Sequence, residues 1–321
     1  MALISPRINK SMKIKLMAVA IVALIMLVAP LLTFSSNNHS IYVDGSASGT
    51  EDGSVDHPYH SINDAMDRAD EDTEIHVAKG TYKENVKIEK GVEIYGADEN
   101  DVVIEARNDS KPAVEMKDKT LINKVTIRGG EDAVRVDHDA KASIIKCTIK
   151  NADDDGIHIE GDGIDKDRMV SISQSRIEKN ERAGIYSGKR RISITDTEIQ
   201  ENKSDGIYFE NGVSAWIDGS QISHNKKSGL RLALDGANIW TKHNSIRENG
   251  REGIEVNWSG ATGRIDIAKT KFWGNERFAV ARVQRTNFDS NRWNSALTFD
   301  NQDQFIGSKL GDISKIFVIT N

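Results

Sequence analysis

The sequence predicts an all-β fold, a single-stranded right-handed parallel β-helix running from about Ile41 to the C-terminus. Three observations carry the prediction: a repeat of one coil's length, strand-type alternation inside each copy, and residue types that line up from copy to copy. From Thr120 to Arg285 one pattern recurs: alternating apolar residues, a small polar residue, x-Ile, a polar turn often holding Asn, then Gly-Ile. The glycine falls at Gly156, Gly184, Gly206, Gly229 and Gly253, with Ala133 and Ala279 in the outer copies, giving spacings of 23, 28, 22, 23, 24 and 26 residues. The long interval holds an insertion, Gly161 to Arg168. Such a period belongs to solenoid architectures.

Within a copy the apolar residues alternate, as in Val170-x-Ile172, Ile192-x-Ile194 and Ile265-x-Ile267, which is strand rather than helix periodicity. Leucine-rich repeats need a Leu and Asn signature that is missing, and a propeller blade needs roughly 40 residues. A coil of about 22–25 residues fits three short strands and three turns, stacked so that inward residues form columns. One expected column is Val125, Cys147, Ser175, Thr197, Ser220, Asn244 and Thr270. The next is Ile127, Ile149, Ile177, Ile199, Ile222, Ile246 and Phe272. The repeats fill residues 120–285. Residues 41–119 form an N-terminal cap and first coils, and there SINDAMDRAD (Ser61 to Asp70) reads as a capping helix with Ser61 as N-cap and Ile62, Ala65, Met66 and Ala69 on one face. Residues 286–321 break the period and read as a C-terminal cap that covers the last coil with Phe288, Trp293, Leu297, Phe299 and Phe305.

Residues 1–15 are a basic lead containing Arg7, Lys10, Lys13 and Lys15, and residues 16–34 are an apolar run, Leu16 to Phe34. The run is bilayer-spanning in length, and no A-x-A cleavage site follows it. It reads as an uncleaved signal-anchor, with a cleaved signal peptide as the alternative. Either places the remaining chain on the extracytoplasmic side, periplasmic or at the cell surface, with the membrane contacted through the N-terminal segment only. That remaining part holds 39 Lys and Arg against 49 Asp and Glu, a balance of −10. Phosphate binding needs a basic face, so a nucleic-acid partner is not expected. Cys147, the sole cysteine, points inward and reads as an inert buried thiol.

The segment Tyr42 to Gly96, with its GTY-x-E motif (Gly80 to Glu84), resembles the N-terminal coil of the pectin-lyase-like superfamily, and the Asn-x-x-x-Gly-Ile repeat resembles its right-handed β-helix repeat families. The resemblance covers roughly Ile41 to Arg285. It implies a carbohydrate partner, a polysaccharide, and a sugar cleft on the sheet that holds the Gly-Ile strands. The family's activity signatures are not reproduced. The Gly-x-x-Asp-Phe of pectin methylesterases has no counterpart, polygalacturonases are matched only by ADDDGIHIEG (Ala152 to Gly161), and VDHD (Val136 to Asp139) lacks the Pro of the mannuronan epimerase Asp-Pro-His-Asp.

The residue after each Gly-Ile points outward, giving a column of Arg135, His158, Tyr186, Tyr208, Arg231 and Glu255. Two residues on lie Asp137, Glu160, Gly188, Glu210, Ala233 and Asn257. On a uronic-acid polymer, His158 or Tyr186 is the candidate base for the proton α to the carboxylate, and Arg135 or Arg231 the candidate for the developing charge. Tyr208, Glu160 and Glu210 are candidate substrate contacts. Trp216 and Trp240 stand in another outward column and read either as a sugar platform or as packing under a loop. Asp153, Asp154 and Asp155 form an acidic turn. It is the candidate Ca²⁺ site, the cofactor that the resemblance implies, although it has no calcium-motif spacing. Two functions remain open from sequence: a lyase, epimerase or hydrolase on acidic polysaccharide, and a non-catalytic glycan-binding or envelope scaffold. No oligomeric state is legible.

Overall fold

The computed structural model describes residues 39–165, 167–258, 262–283 and 296–314. The basic lead and apolar run, together with Phe288 and Trp293, lie outside the described residues. No helix among the described residues is long and apolar enough to cross a membrane.

Strands β1 (His39–Val43) to β31 (Gly311–Ile313) stack into three parallel sheets of eleven, ten and ten strands. Each coil contributes one strand to each sheet. In one such coil β14 (Met169–Ser173) enters the first sheet, β15 (Arg176–Glu178) the second and β16 (Ile185–Lys189) the third. The alternation read from sequence is the physical cause: every second residue is buried between the sheets, and its neighbours face solvent. Both expected inward columns are buried, and the isoleucine column is in register from Ile127 to Phe272. In the small polar column, side chains bond along the stack. Ser175 Oγ accepts from the Cys147 amide at 3.1 Å, Ser220 Oγ from Thr197 at 3.2 Å, and Asn244 Oδ1 from Ser220 at 2.8 Å. Burial pushes the Cys147 thiol up to about 12, which leaves it unreactive.

Two corners of the coil require left-handed backbone. At the first, Lys124, Lys146, Gln174, Asp196, His243 and Lys269 all have φ between 49° and 56°, although none is glycine. Each costs about 1–2 kcal/mol relative to an ordinary conformation, so the stacked sheets must over-determine the bend.

The Asn of the repeat builds a ladder inside the turn before the third sheet. Asn180, Asn202, Asn225, Asn249 and Asn275 are all buried, and each Nδ2 donates to the Oδ1 of the next at 2.9, 3.0, 3.1 and 3.0 Å. The same Oδ1 also accepts the backbone N–H of the preceding Asn. This explains the glycine of Gly-Ile, which is there for space and not for φ. A Cβ on Gly206 would lie 2.7 Å from Asn225 Nδ2 and 2.6 Å from the Gly229 carbonyl oxygen, and Gly184 and Gly229 meet the same obstacle. The motif N-x-x-x-G-I is thus one coil's ladder residue beside the gap left for the next coil's.

At the N-terminal end, helix α1 (Ile62–Met66) is shorter than the ten-residue segment expected from sequence, but Ser61 does cap it, accepting from the Asp64 amide at 3.0 Å. Glu84 supplies the other orphan amides with an acceptor, taking Ile62 N–H at 3.0 Å and Asn63 N–H at 2.9 Å. The C-terminal end differs from the sequence expectation. β29 (Leu297–Phe299), β30 (Gln304–Ile306) and β31 extend the three sheets in register, and Phe305 stacks on Phe272 with centroids 5.3 Å apart. These residues form a further coil. Its landmarks were hidden because Phe305 replaces the repeating Ile and no Gly-Ile pair follows.

Candidate functional site: the outer face of the Gly-Ile sheet

Arg135, His158, Tyr186, Tyr208 and Arg231 sit directly opposite one another on successive strands of the third sheet, and the residues on either side of them are buried. The His158 and Tyr186 rings lie 4.6 Å apart, Tyr186 meets Tyr208 edge-on at 5.5 Å, and the Arg231 guanidinium lies 4.7 Å from the Tyr208 centroid. Glu255 follows in register but departs from the expected outward position. It is 3% exposed, takes the Ser228 hydroxyl at 2.7 Å, and lies under Arg231 and Arg251. Of the second column, Asp137 pairs with Lys117, Glu210 bonds the Tyr186 hydroxyl, and Glu160 is half-buried. Four strand steps separate Arg135 from Arg231, about 19 Å. The four candidate catalytic side chains therefore form a line rather than converging on one reacting atom.

Behind the line stands a set of acids that sequence reasoning assigned only to the turns. In five of the seven copies the residue before the Gly-Ile or its Ala equivalent is polar and buried: Asp132, Asp155, Asp205, Ser228 and Glu252. One oxygen of each Asp ties two coils together. Asp132 Oδ1 accepts the Asp155 amide at 3.2 Å, Asp155 Oδ1 that of Ala183 at 3.0 Å, and Asp205 Oδ1 that of Ser228 at 2.9 Å. The other oxygen faces the ladder. Asp132 Oδ2 pairs with Arg135 at 2.5 Å, Asp155 Oδ2 lies 3.3 Å from His158 Nδ1, and Asp205 Oδ2 lies 3.8 Å from Arg231. Glu252 pairs with Arg277 at 3.1 Å. Burial raises the carboxyls of Asp132, Asp205 and Glu252 above their ordinary range. The signal was present in sequence, because an Asp, Ser or Glu precedes the landmark in five copies, but alternation says nothing about which turn residues are covered.

These acids fix the proton state of the ladder. Burial works to lower the His158 pKa, yet the Asp155 hydrogen bond and the charges of Asp132 and Asp155 outweigh it and raise the value. Burial and Glu210 together raise that of Tyr186. Both side chains therefore hold their protons more firmly than usual. Because the folded His158 pKa is raised, the pairing stabilises the fold fully below about pH 6.5 and is lost as pH rises through the folded value. Asp155→Asn is expected to lower the His158 pKa, and an NMR titration of the ring protons measures it; an unchanged midpoint would refute this assignment.

The expected calcium turn does not assemble. Asp153 is exposed, Asp154 pairs with Arg182 at 2.7 Å, and only Asp155 reaches the ladder. Among the described residues, Asp132, Asp155 and His158 bring one ligand atom each within 4.8 Å of one another. Calcium takes 6–8 oxygen ligands. Beyond the oxygens that hold backbone amides, this set offers one carboxylate oxygen from each Asp and a nitrogen, and Arg135 already sits on that of Asp132, so the residues present do not fit Ca²⁺.

Trp216 and Trp240 lie on a different face. They are neighbours on the outer side of the first sheet, 43% and 38% exposed, with centroids 6.5 Å apart.

The model of the right-handed β-helix region family matches residues 132–293, which is 162 of 321 residues. This chain belongs to the right-handed β-helix family. Among solved structures this β-helix is similar to pectate lyase Pel9A at 12% identity and a TM-score of 0.50, over 85% of this chain and 78% of the other. It is similar to the A-module of mannuronan C-5 epimerase AlgE4 from Azotobacter vinelandii at 14% and 0.51, over 87% and 100%. The Dettilon tailspike protein matches at 15% and 0.52, over 82% of this chain and 57% of its own. These structures share this chain's right-handed parallel β-helix fold. No curated protein matches the chain in sequence.

Proposed function

We propose that this β-helix binds an acidic polysaccharide lengthwise on the Gly-Ile face, outside the cytoplasmic membrane. The observation that carries the reading is the in-register line from Arg135 to Arg231, with cations at both ends and three rings between them. Arginine presents a planar fork to carboxylates, and the rings offer surface to the apolar faces of sugars. Two of the solved relatives, by name a pectate lyase and a mannuronan C-5 epimerase, are named for acidic polysaccharides, which supports this partner. The basic lead and apolar run support the location. Binding is favoured over proton abstraction because the four candidate side chains form a line and do not converge on one reacting atom.

Affinity electrophoresis of the protein in polygalacturonate and polymannuronate tests the reading. Retardation is expected, with Arg231→Ala and Tyr208→Ala each weakening it by about tenfold, a change of about 1.4 kcal/mol, and with added salt weakening it further. No retardation by any uronate polymer would sink the proposal. A second reading, cleavage or elimination, is favoured by the two titratable side chains His158 and Tyr186 standing side by side. Ultraviolet absorbance of unsaturated uronate and a reducing-end assay decide it, and no product with either polymer rules it out for these substrates.

A further inference from the structure

The first sheet carries a second surface whose chemistry differs from that of the Gly-Ile face. Trp240 covers one side of the Trp216 indole. The residue facing the other side, on the preceding strand, is Ser193, which is too small to cover a ring. The indole face is therefore open towards the N-terminal end of the solenoid, above a hollow of about 250 Å³ lined by Ser193, Ser214 and Met169. A second aromatic stack faces it from that end. Tyr42, His76 and Tyr95 occupy successive strands with centroids 5.2 and 5.7 Å apart, and beyond Tyr95 the next residue in register is Asn123. Tyr95 is fixed in place by its hydroxyl, which bonds Glu93.

Between the two stacks lie four strands, so the stacks are five strand steps, about 24 Å, apart. The floor of this lane consists of small or aliphatic uncharged side chains. Asn123 and Leu121 come first, Ser143 and Ile145 next, then Ser171 and Ser193, with Ser171 donating to Ser143 at 3.0 Å. Arg191 at the rim of the Trp216 hollow and Glu93, tied to the Tyr95 hydroxyl at the other end, are the exceptions. On a chain in which 29% of residues are charged, an uncharged lane is a distinct feature. The Gly-Ile face presents Lys117, Arg135, Asp137, His158, Glu210 and Arg231.

We infer that the first sheet is a second glycan site, which takes an uncharged oligosaccharide chain along the lane, with one sugar stacked on the open face of Trp216 and another on that of Tyr95. Sugar C–H faces meet the two rings, and hydroxyls meet the serines and Asn123. The lane's lack of charge selects a neutral chain over a uronate polymer. The inference goes beyond the acidic-glycan reading and does not depend on it, because the two faces share no residue.

The test is tryptophan fluorescence and calorimetry on the full chain, titrated with hexasaccharides of β-1,4-glucose, β-1,4-mannose, α-1,4-glucose and β-1,4-N-acetylglucosamine, and with hexagalacturonate. At least one neutral hexasaccharide is expected to shift the fluorescence, with an affinity insensitive to salt and unchanged in Arg231→Ala. Trp216→Ala and Tyr95→Ala are each expected to weaken binding by about tenfold. Ser193→Trp leaves both residues in place but puts a ring against the open indole face, and it is expected to block binding equally, so the outcome does not rest on the folding of one variant. The inference is overturned if no neutral hexasaccharide binds, if Trp216→Ala and Ser193→Trp both bind normally, or if only the galacturonate engages Trp216. Salt and Arg231→Ala separate this result from the fate of the other face.

Discussion

Asn225→Ala is expected to destabilise the protein by about 3–5 kcal/mol, the largest single-residue effect in the solenoid core. The side chain holds four buried groups at once. Its Oδ1 accepts from the Asn202 amide at 3.1 Å and Asn202 Nδ2 at 3.0 Å, while its Nδ2 donates to the Ile199 carbonyl and to Asn249 Oδ1, each at 3.1 Å. Alanine removes all four bonds in a buried site: the Asn202 amide and the Ile199 carbonyl lose the side chain, while Asn202 Nδ2 and Asn249 Oδ1 are left with only the Ile177 carbonyl and the residue-225 amide. A leucine of similar size does the same, because what is lost is pairing rather than volume. Asn180, the first rung, gives up fewer bonds to other rungs, so Asn180→Ala is expected to cost less. Urea unfolding of the two variants side by side measures the difference. Equal losses would mean that the ladder is not the source.

The second large effect belongs to Arg190, which is 3% exposed and, among the described residues, has no carboxylate in contact with its guanidinium. Its Nη1 donates to the Asp137 carbonyl at 3.0 Å and the Glu160 carbonyl at 2.9 Å, and bonds also reach the carbonyls of His138 and Ala140. One side chain thus binds three consecutive coils at the point where the Gly161–Arg168 insertion leaves the stack. Gly161 makes this possible, since a Cβ there would lie 2.2 Å from Arg190 Cδ. Burial lowers the guanidinium pKa without bringing it near neutrality, and the charge strengthens each bond. Arg190→Met, which keeps much of the volume, is expected to cost about 3–4 kcal/mol through the orphaned carbonyls. Hydrogen exchange is expected to accelerate first around Ala140 and Glu160. Arg190→Lys is expected to recover only part of the loss, since an ammonium lacks the fork that spans separate carbonyls. A variant as stable as the parent would remove Arg190 from this role.

Neither residue was equally visible in sequence. The asparagines recur at a fixed distance before Gly-Ile, so periodicity exposes their column, and alternation exposes Ile127 to Phe272 in the same way. Arg190 occupies the inward position that Val213 and Ala237 hold in the next coils, so a pattern of apolar residues marks it only as an exception. The left-handed corners at Lys146, Gln174 and Asp196 were illegible because the bend is enforced by the stack and not by residue preference. For the site, alternation placed Arg135, His158, Tyr186, Tyr208 and Arg231 correctly on one line. It could not show that Asp132, Asp155 and Asp205 stand behind them, nor that Glu255 sinks beneath two arginines, because turn geometry and side-chain reach are set by the neighbouring coils. The direction of the His158 and Tyr186 proton affinities follows from those hidden neighbours, and alternation alone does not reveal it.

The ladders also bear on how the chain reaches this fold. The Asn rungs join residues 22, 23, 24 and 26 positions apart, and the first rung reaches 28 positions back, to Ala152. Measured against the 283 residues from His39 to Asn321, these separations come to about 0.08–0.10 of the length, the range of helical bundles rather than of sheet proteins. No strand waits for a partner from the far end of the sequence. Each coil can settle on the one before it as soon as it emerges, so a chain delivered from its N-terminus is able to fold one turn at a time and need never expose more than a single unpaired edge.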